Sequence, residues 1–152
     1  MSLHNYKNQF NTLIENEFHN NQINDLRKNA FSKFLKTGIP TQQWENWRFT
    51  NLSKFKKKTF QIRKKIDHSK SKLNFSKYIK KDIITLISYN GHFIEYNNSL
   101  PNGLKILSGL DNLKLNDFNK NLILKNNSTF ELMNFAFMDS GITIIVEKNT
   151  LI

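Results

Sequence analysis

Residues 27–55 read RKNAFSKFLKTGIPTQQWENWRFTNLSKF, and the rest of the chain is read outward from them. Leu26, Ala30, Phe34 and Leu35 recur at helical spacing and predict an amphipathic helix. Thr37-Gly38-Ile39-Pro40 predicts its end, because glycine takes the left-handed conformation beyond a last turn and proline cannot continue a helix. Both tryptophans of the chain, Trp44 and Trp47, follow within one helical turn of each other. Such a pair predicts a buried structural anchor in which each indole N–H needs a partner.

Upstream, Tyr6, Phe10, Leu13, Ile14 and Phe18 form another helical stripe. Asn20-Asn21-Gln22 predicts the break between the two helices, and His19 is expected to be an exposed residue near the first helix end. Downstream, Thr50 is expected to cap a short turn running through Leu52 and Phe55. The chain then turns basic. Lys54 to Asp82 holds twelve Lys and Arg against two Asp, nearly the whole of the +11 net charge. Such a segment attracts phosphates. Yet the chain has twenty Lys and only three Arg, and arginine is the residue suited to bidentate base readout. With twenty-three Asn beside those lysines, the segment reads as a solvated connection in a compositionally biased sequence. Within it, Thr59 to Ile62 predicts a short strand, and His68 has no ligand partner at metal-binding spacing.

Ile83 to Tyr89 is β-branched and apolar and predicts a strand. Asn90-Gly91 and His92 to Tyr96 complete a hairpin signal, since a type I′ turn needs positive φ at both central residues. Leu100-Pro101-Asn102-Gly103 predicts a turn, Leu104 to Leu107 a strand, and Gly109 to Phe118 a short helix with Leu110, Leu113 and Leu115. Ser128 and Glu131 have capping-box spacing, with a helix expected through Phe130, Met133, Phe137 and Met138. Asp139-Ser140-Gly141 ends it. Ile142 to Glu147 predicts a strand, Lys148-Asn149 a turn and Thr150 to Ile152 a further strand.

Two of these stretches carry a resemblance. GIPTQQWENWRFTNL is similar to the N-terminal signature of the SufB/SufD family, its SufD branch in particular, through Gly38, Ile39, Pro40, Thr41, Glu45, Trp47, Arg48, Phe49 and Thr50, after a helix bearing Ala30 and Phe34. The basic residue often found before the glutamate is replaced by Gln42 and Gln43. ISYNGHFIEYNNSLPNGLKILSGL resembles the segment that follows the signature, through Asn90, Gly91, Phe93, Leu100, Pro101 and Gly103. FELMNFAFMDSGITIIVEKNTLI resembles the entrance to a right-handed parallel β-helix.

The resemblance implies a scaffold role in iron–sulfur cluster assembly, beside SufB and the ATPase SufC. The family's SufC-docking and cluster-linked positions lie in later parts and map onto no residue here. It implies the N-terminal part of a longer protein, with no catalytic, cofactor-binding or metal residue of its own, the cluster being assembled by the full complex. The expected fold class is α+β: a helical region with the signature at 1–55, a basic connection at 56–82, a small α+β segment at 83–127, and a helix with the start of a β-helix at 128–152.

The residues themselves set bounds on function. The 152-residue chain can bury roughly 68–70% of its unfolded surface. A hydrophobic content of 38% and thirteen Phe argue against a disordered chain. The sequence has no cysteine, no secretory h-region and no apolar run of membrane-spanning length, and a cytoplasmic location is expected. No phosphate-binding glycine loop, zinc-protease helix or nucleophile elbow is present. The alternative from another class is a small basic nucleic-acid-binding protein using Lys54 to Lys81, with Phe55, Phe60, Phe75 and Tyr78 stacking on bases.

Overall fold

Helices α1 (Leu3–Asn16) and α2 (Asn21–Thr37) form where the two apolar stripes predict them. They belong to a computed structural model that describes residues 3–16, 21–58, 60–62, 75–89, 91–96, 99–110 and 128–152. Asn21 and Gln22, expected in the break, already lie in α2, while Phe18, His19, Asn20 and His68 fall outside the described residues. The chain divides into two compact units, Met1–Ile62 with Leu115–Met138, and Arg63–Lys114 with Asp139–Ile152.

The first unit is helical. Helix α3 (Ser53–Lys57) follows the signature, and α4 (Thr129–Ala136) packs chiefly against α2. Ala30 on α2 and Ala136 on α4 are both fully buried, so no long side chain at either position holds the helices apart. The core gathers Tyr6, Phe10, Ala30, Phe31, Phe34, Leu132 and Ala136. Its centre is aromatic. Phe10 and Phe31 stack at 3.9 Å between centroids, and Phe137 meets both rings edge-on at 5.9 and 5.8 Å. Edge-to-face and offset arrangements set the negative ring face against the positive edge.

Both ends of α4 are satisfied by side chains. At its start, the Ser128 hydroxyl accepts from the Glu131 N–H and the Glu131 carboxylate accepts from the Ser128 N–H, the expected capping box. At its end, fully buried Arg27 donates from Nε to the Ala136 carbonyl at 3.4 Å, placing a cation at a helix C-terminus. The buried stripe of α4 is Thr129, Leu132 and Ala136. Of the residues expected to face the core, Met133 and Phe137 pack against it while half-buried, and Phe130 and Met138 are half-buried outside the cluster.

Two local expectations are corrected. Thr50 does not cap α3: Leu52 holds the cap position, and Asn51 accepts from the Ser53 N–H at 2.9 Å. Asn51 stands two residues before that N–H, the reach of an Asx turn. Phe60 to Ile62 form no strand, and Thr59 lies outside the described residues. Instead the Gln9 amide clamps this stretch, donating to the Phe60 carbonyl at 2.6 Å and accepting from the Ile62 N–H at 3.0 Å. One side chain thus satisfies the two groups that a partner strand would have paired.

Among its described residues the second unit holds two antiparallel pairs. Strands β1 (Leu86–Tyr89) and β2 (His92–Tyr96) form the hairpin, with Gly91 at φ 88° in the connection between them. Asn90 lies outside the described residues, and β1 begins three residues later than the apolar run at Ile83 suggests. A register shift between Ile87 and Ser88 puts a bulge into the pair. Strand β3 (Leu104–Ser108) pairs with β4 (Ile142–Val146), Ile106 opposite Ile144. The helix expected over Gly109 to Phe118 lies outside the described residues beyond Leu110, which is buried. Lys148-Asn149 turns as expected, with Asn149 at φ 65°, but Thr150 to Ile152 form no strand. The Thr150 N–H is instead drawn back to the Glu147 carbonyl at 3.2 Å.

Bonds from the Gly109 N–H to the Gly141 carbonyl and from the Glu147 N–H to the Gly103 carbonyl fix which edge of β4 faces β3. Alternation then turns the backbone groups of Ile142, Ile144 and Val146 away from β3. Those side chains are 37%, 54% and 50% exposed.

Two substitutions test these cores. Phe31→Ala removes one leaf of the stack and is expected to cost about 3–5 kcal/mol in urea unfolding. Gly103 has φ 85°, and an added Cβ would collide with the Thr150 side chain. Gly103→Ala is expected to cost at least about 1–2 kcal/mol, measured the same way.

Candidate functional site

The signature begins where α2 ends. Gly38 has φ 71°, and its N–H donates to the Phe34 carbonyl at 2.8 Å, closing the helix as the sequence predicts. Ile39 packs against the core cluster and Pro40 is fully buried, so the chain leaves α2 in a fixed direction. The Trp44 N–H returns to the Thr41 carbonyl at 3.0 Å, and Glu45–Trp47 form one 3-10 turn. The Trp47 N–H donates to the Trp44 carbonyl and the Thr50 N–H to the Trp47 carbonyl, so the segment is held by successive short-range bonds. Gln42 reaches across it to the Arg48 carbonyl at 3.4 Å.

The tryptophans are not the buried anchor that their spacing suggests. Trp44 is 37% exposed and Trp47 is half-buried, because the turn lies on the surface of the helical core. Trp47 covers Phe130 at 5.4 Å between centroids, and Phe130 in turn meets Phe55 at 5.5 Å. A small cleft of about 220 Å³ separates both tryptophans from the start of α4, lined also by Thr37, Glu45 and Ser128. The signature therefore divides by burial. Gly38 and Pro40 shape the backbone, Thr41 is half-buried, and Glu45, Arg48, Phe49 and Thr50 face solvent. Phe49 is 87% exposed, with the Arg48 guanidinium 4.6 Å above its ring.

The other matched positions belong to the second unit. Gly91 turns the hairpin, Leu100 and Pro101 are half-buried, and Gly103 starts β3. The Leu104 N–H donates to the Pro101 carbonyl at 3.1 Å, so the turn spans Pro101 to Leu104, one residue later than expected. Most of the matched positions that are described sit at turns and element ends, while Ala30 and Phe34 lie inside α2 and Phe93 lies inside β2.

Other features were invisible in the sequence. Nearly buried His92 lies 3.5 Å from Asp139 through Nε2 and Oδ2, a contact between residues far apart in the chain that no local pattern announces. Arg27 was legible in hindsight, since Ile23, Arg27, Ala30 and Phe34 share one buried helical face. A groove of about 360 Å³ runs between Tyr6, Gln9, Phe60 and Ile62 on one side and Phe130, Met133 and Phe137 on the other. Burial pushes the Tyr6 phenol up from its ordinary range.

Exposed Lys105 and Glu147 pair at 2.8 Å. The side-chain hydrogen bond and attraction raise the lysine and lower the glutamate from their ordinary values. Among the described residues no three metal-ligating side chains converge, and no helix is long and apolar enough to cross a membrane.

The aromatic rings interleaved with lysines are partly engaged within the protein. Phe55 packs on Phe60 and Phe130, and Lys77 lies over the exposed Tyr78 ring at 4.8 Å. Trp47→Ala removes only a half-buried ring, so its expected cost in urea unfolding is about 1–3 kcal/mol, below that of a fully buried indole.

Comparison with known proteins identifies a family. A family model described as the SufBD protein N-terminal region matches residues 2–152. Searches of curated proteins and of solved structures gave no match. With the match spanning both units, the chain belongs to the SufBD family and represents its N-terminal region.

Proposed function

We propose that the chain serves as the N-terminal domain of a SufD-type scaffold subunit in iron–sulfur cluster assembly. The family match over residues 2–152 carries this reading. The order of the signature from Gly38 to Thr50, then Asn90-Gly91, Leu100-Pro101 and Gly103, favours the SufD branch over SufB. In this reading the domain contributes no catalysis. The cluster is cargo of the whole complex, and this chain's residues supply a positioned surface rather than ligands.

SufB and SufC are the proposed partners, with SufC docking on parts of the scaffold outside this region, in the cytoplasm. The proposed division of labour keeps the signature at 1–55, the basic connection at 56–82, the small α+β segment at 83–127 and the β-helix entrance at 128–152. The outward backbone groups of Ile142, Ile144 and Val146 support the last of these, since a following β-helix rung would pair with them.

Exchange of domains separates the two branches. This chain, replacing the N-terminal region of a SufD, is expected to restore iron–sulfur enzyme activity in cells lacking that SufD. The same replacement in a SufB is expected not to restore it. Restoration by the SufB chimera alone would reassign the branch, and failure of both would overturn the scaffold reading.

A further inference from the structure

Helix α3 presents Lys54 and Lys57 to solvent and turns Phe55 the other way. Phe55 points inward onto Phe130 and Phe60. Lys54 and Lys57 stand three apart, on one side of the helix, and both are exposed, as is Lys58 just beyond. Lys56, on the other side, lines a small groove of about 180 Å³ together with Thr41, Gln42, Asn51 and Ser53. Among the described residues none of these four lysines forms an ion pair. Immediately upstream the signature exposes Arg48 and, at 87%, the Phe49 ring.

We propose that Arg48, Phe49 and the lysines of α3 form a docking surface for an acidic segment of a partner protein, one that carries carboxylates around a single apolar side chain. Charge selects the partner's sign: five cations lie within eleven residues, and Glu45 is the only acidic residue between Pro40 and Lys58. Groove size selects its scale. The space beside Lys56 accepts a carboxylate side chain and falls below the roughly 300 Å³ at which small-molecule pockets begin. The groove's hydroxyl and amide donors, from Thr41, Ser53 and Asn51, suit an oxyanion. Phe49 supplies the apolar anchor, since one ring face is covered by Arg48 and the ring is otherwise open. A nucleic acid fits less well, because Phe55 is engaged by Phe60 and Phe130 and the flanking cations are lysines apart from Arg48. The surface lies within the helical unit and does not depend on the SufD assignment.

Fluorescence anisotropy tests the proposal, with a labelled peptide of glutamates interrupted by one leucine as probe. The peptide is expected to bind, and to bind more weakly as salt rises. Lys54→Glu with Lys57→Glu is expected to weaken binding at least about tenfold. The charge-matched control, Lys7→Glu with Lys28→Glu, alters two exposed lysines on α1 and α2 and is expected to leave binding unchanged. Phe49→Ser is expected to weaken the leucine-bearing peptide and not an all-glutamate one. Circular dichroism checks each fold, and Lys54→Gln with Lys57→Gln replaces the reversal if that variant does not fold. Equal loss in the control pair, absence of peptide binding, or tighter binding to a single-stranded oligonucleotide or to phosphatidylserine vesicles would each overturn the proposal.

Discussion

The helical unit depends on three phenylalanines that meet from three places in the sequence. Phe10 and Phe31 stack face to face, and Phe137 closes on both by its edge. Each ring fixes one element: α1, α2 and the end of α4. Removing any of them leaves the remaining two elements with an aromatic face and nothing of the right shape to cover it. Interiors pack at crystal-like density, so such a gap does not simply heal. Arg27 adds direction to this arrangement, because its bond to the Ala136 carbonyl ties the end of α4 to the middle of α2.

The signature is built on that frame. Gly38 and Pro40 set how the backbone leaves α2, and the short-range bonds from Thr41 to Thr50 carry the direction forward. What emerges at the surface is a set of polar and aromatic side chains with little freedom in their backbone. A scaffold needs this property more than it needs reactive groups, since its partners must find the same surface each time.

What was legible in the sequence is what is decided locally. The stripes of α1 and α2, the glycine stop at Gly38, the Ser128–Glu131 box and the turn at Gly91 each depend on residues within a few positions. What failed depends on distant partners. The spacing of Trp44 and Trp47 could not reveal that their turn lies outside the core, and Phe60 to Ile62 could not announce that Gln9 would take the place of a strand. The same holds for the pairing of His92 with Asp139. The family was legible through the signature, whose Gly38 and Pro40 shape how the backbone leaves α2.

The placement of α4 has a consequence for biosynthesis. Residues 27 and 136, joined by the Arg27 bond, are 109 positions apart. During translation α1 and α2 leave the ribosome first, yet the helix that covers them is made about a hundred residues later. At roughly 5–20 residues per second, the apolar faces of α1 and α2 wait for roughly 5–20 s before α4 arrives. The intervening unit must be threaded out in that time, and such distant contacts close slowly. A ribosome stalled before Phe137 would therefore leave the aromatic stack of Phe10 and Phe31 unsealed.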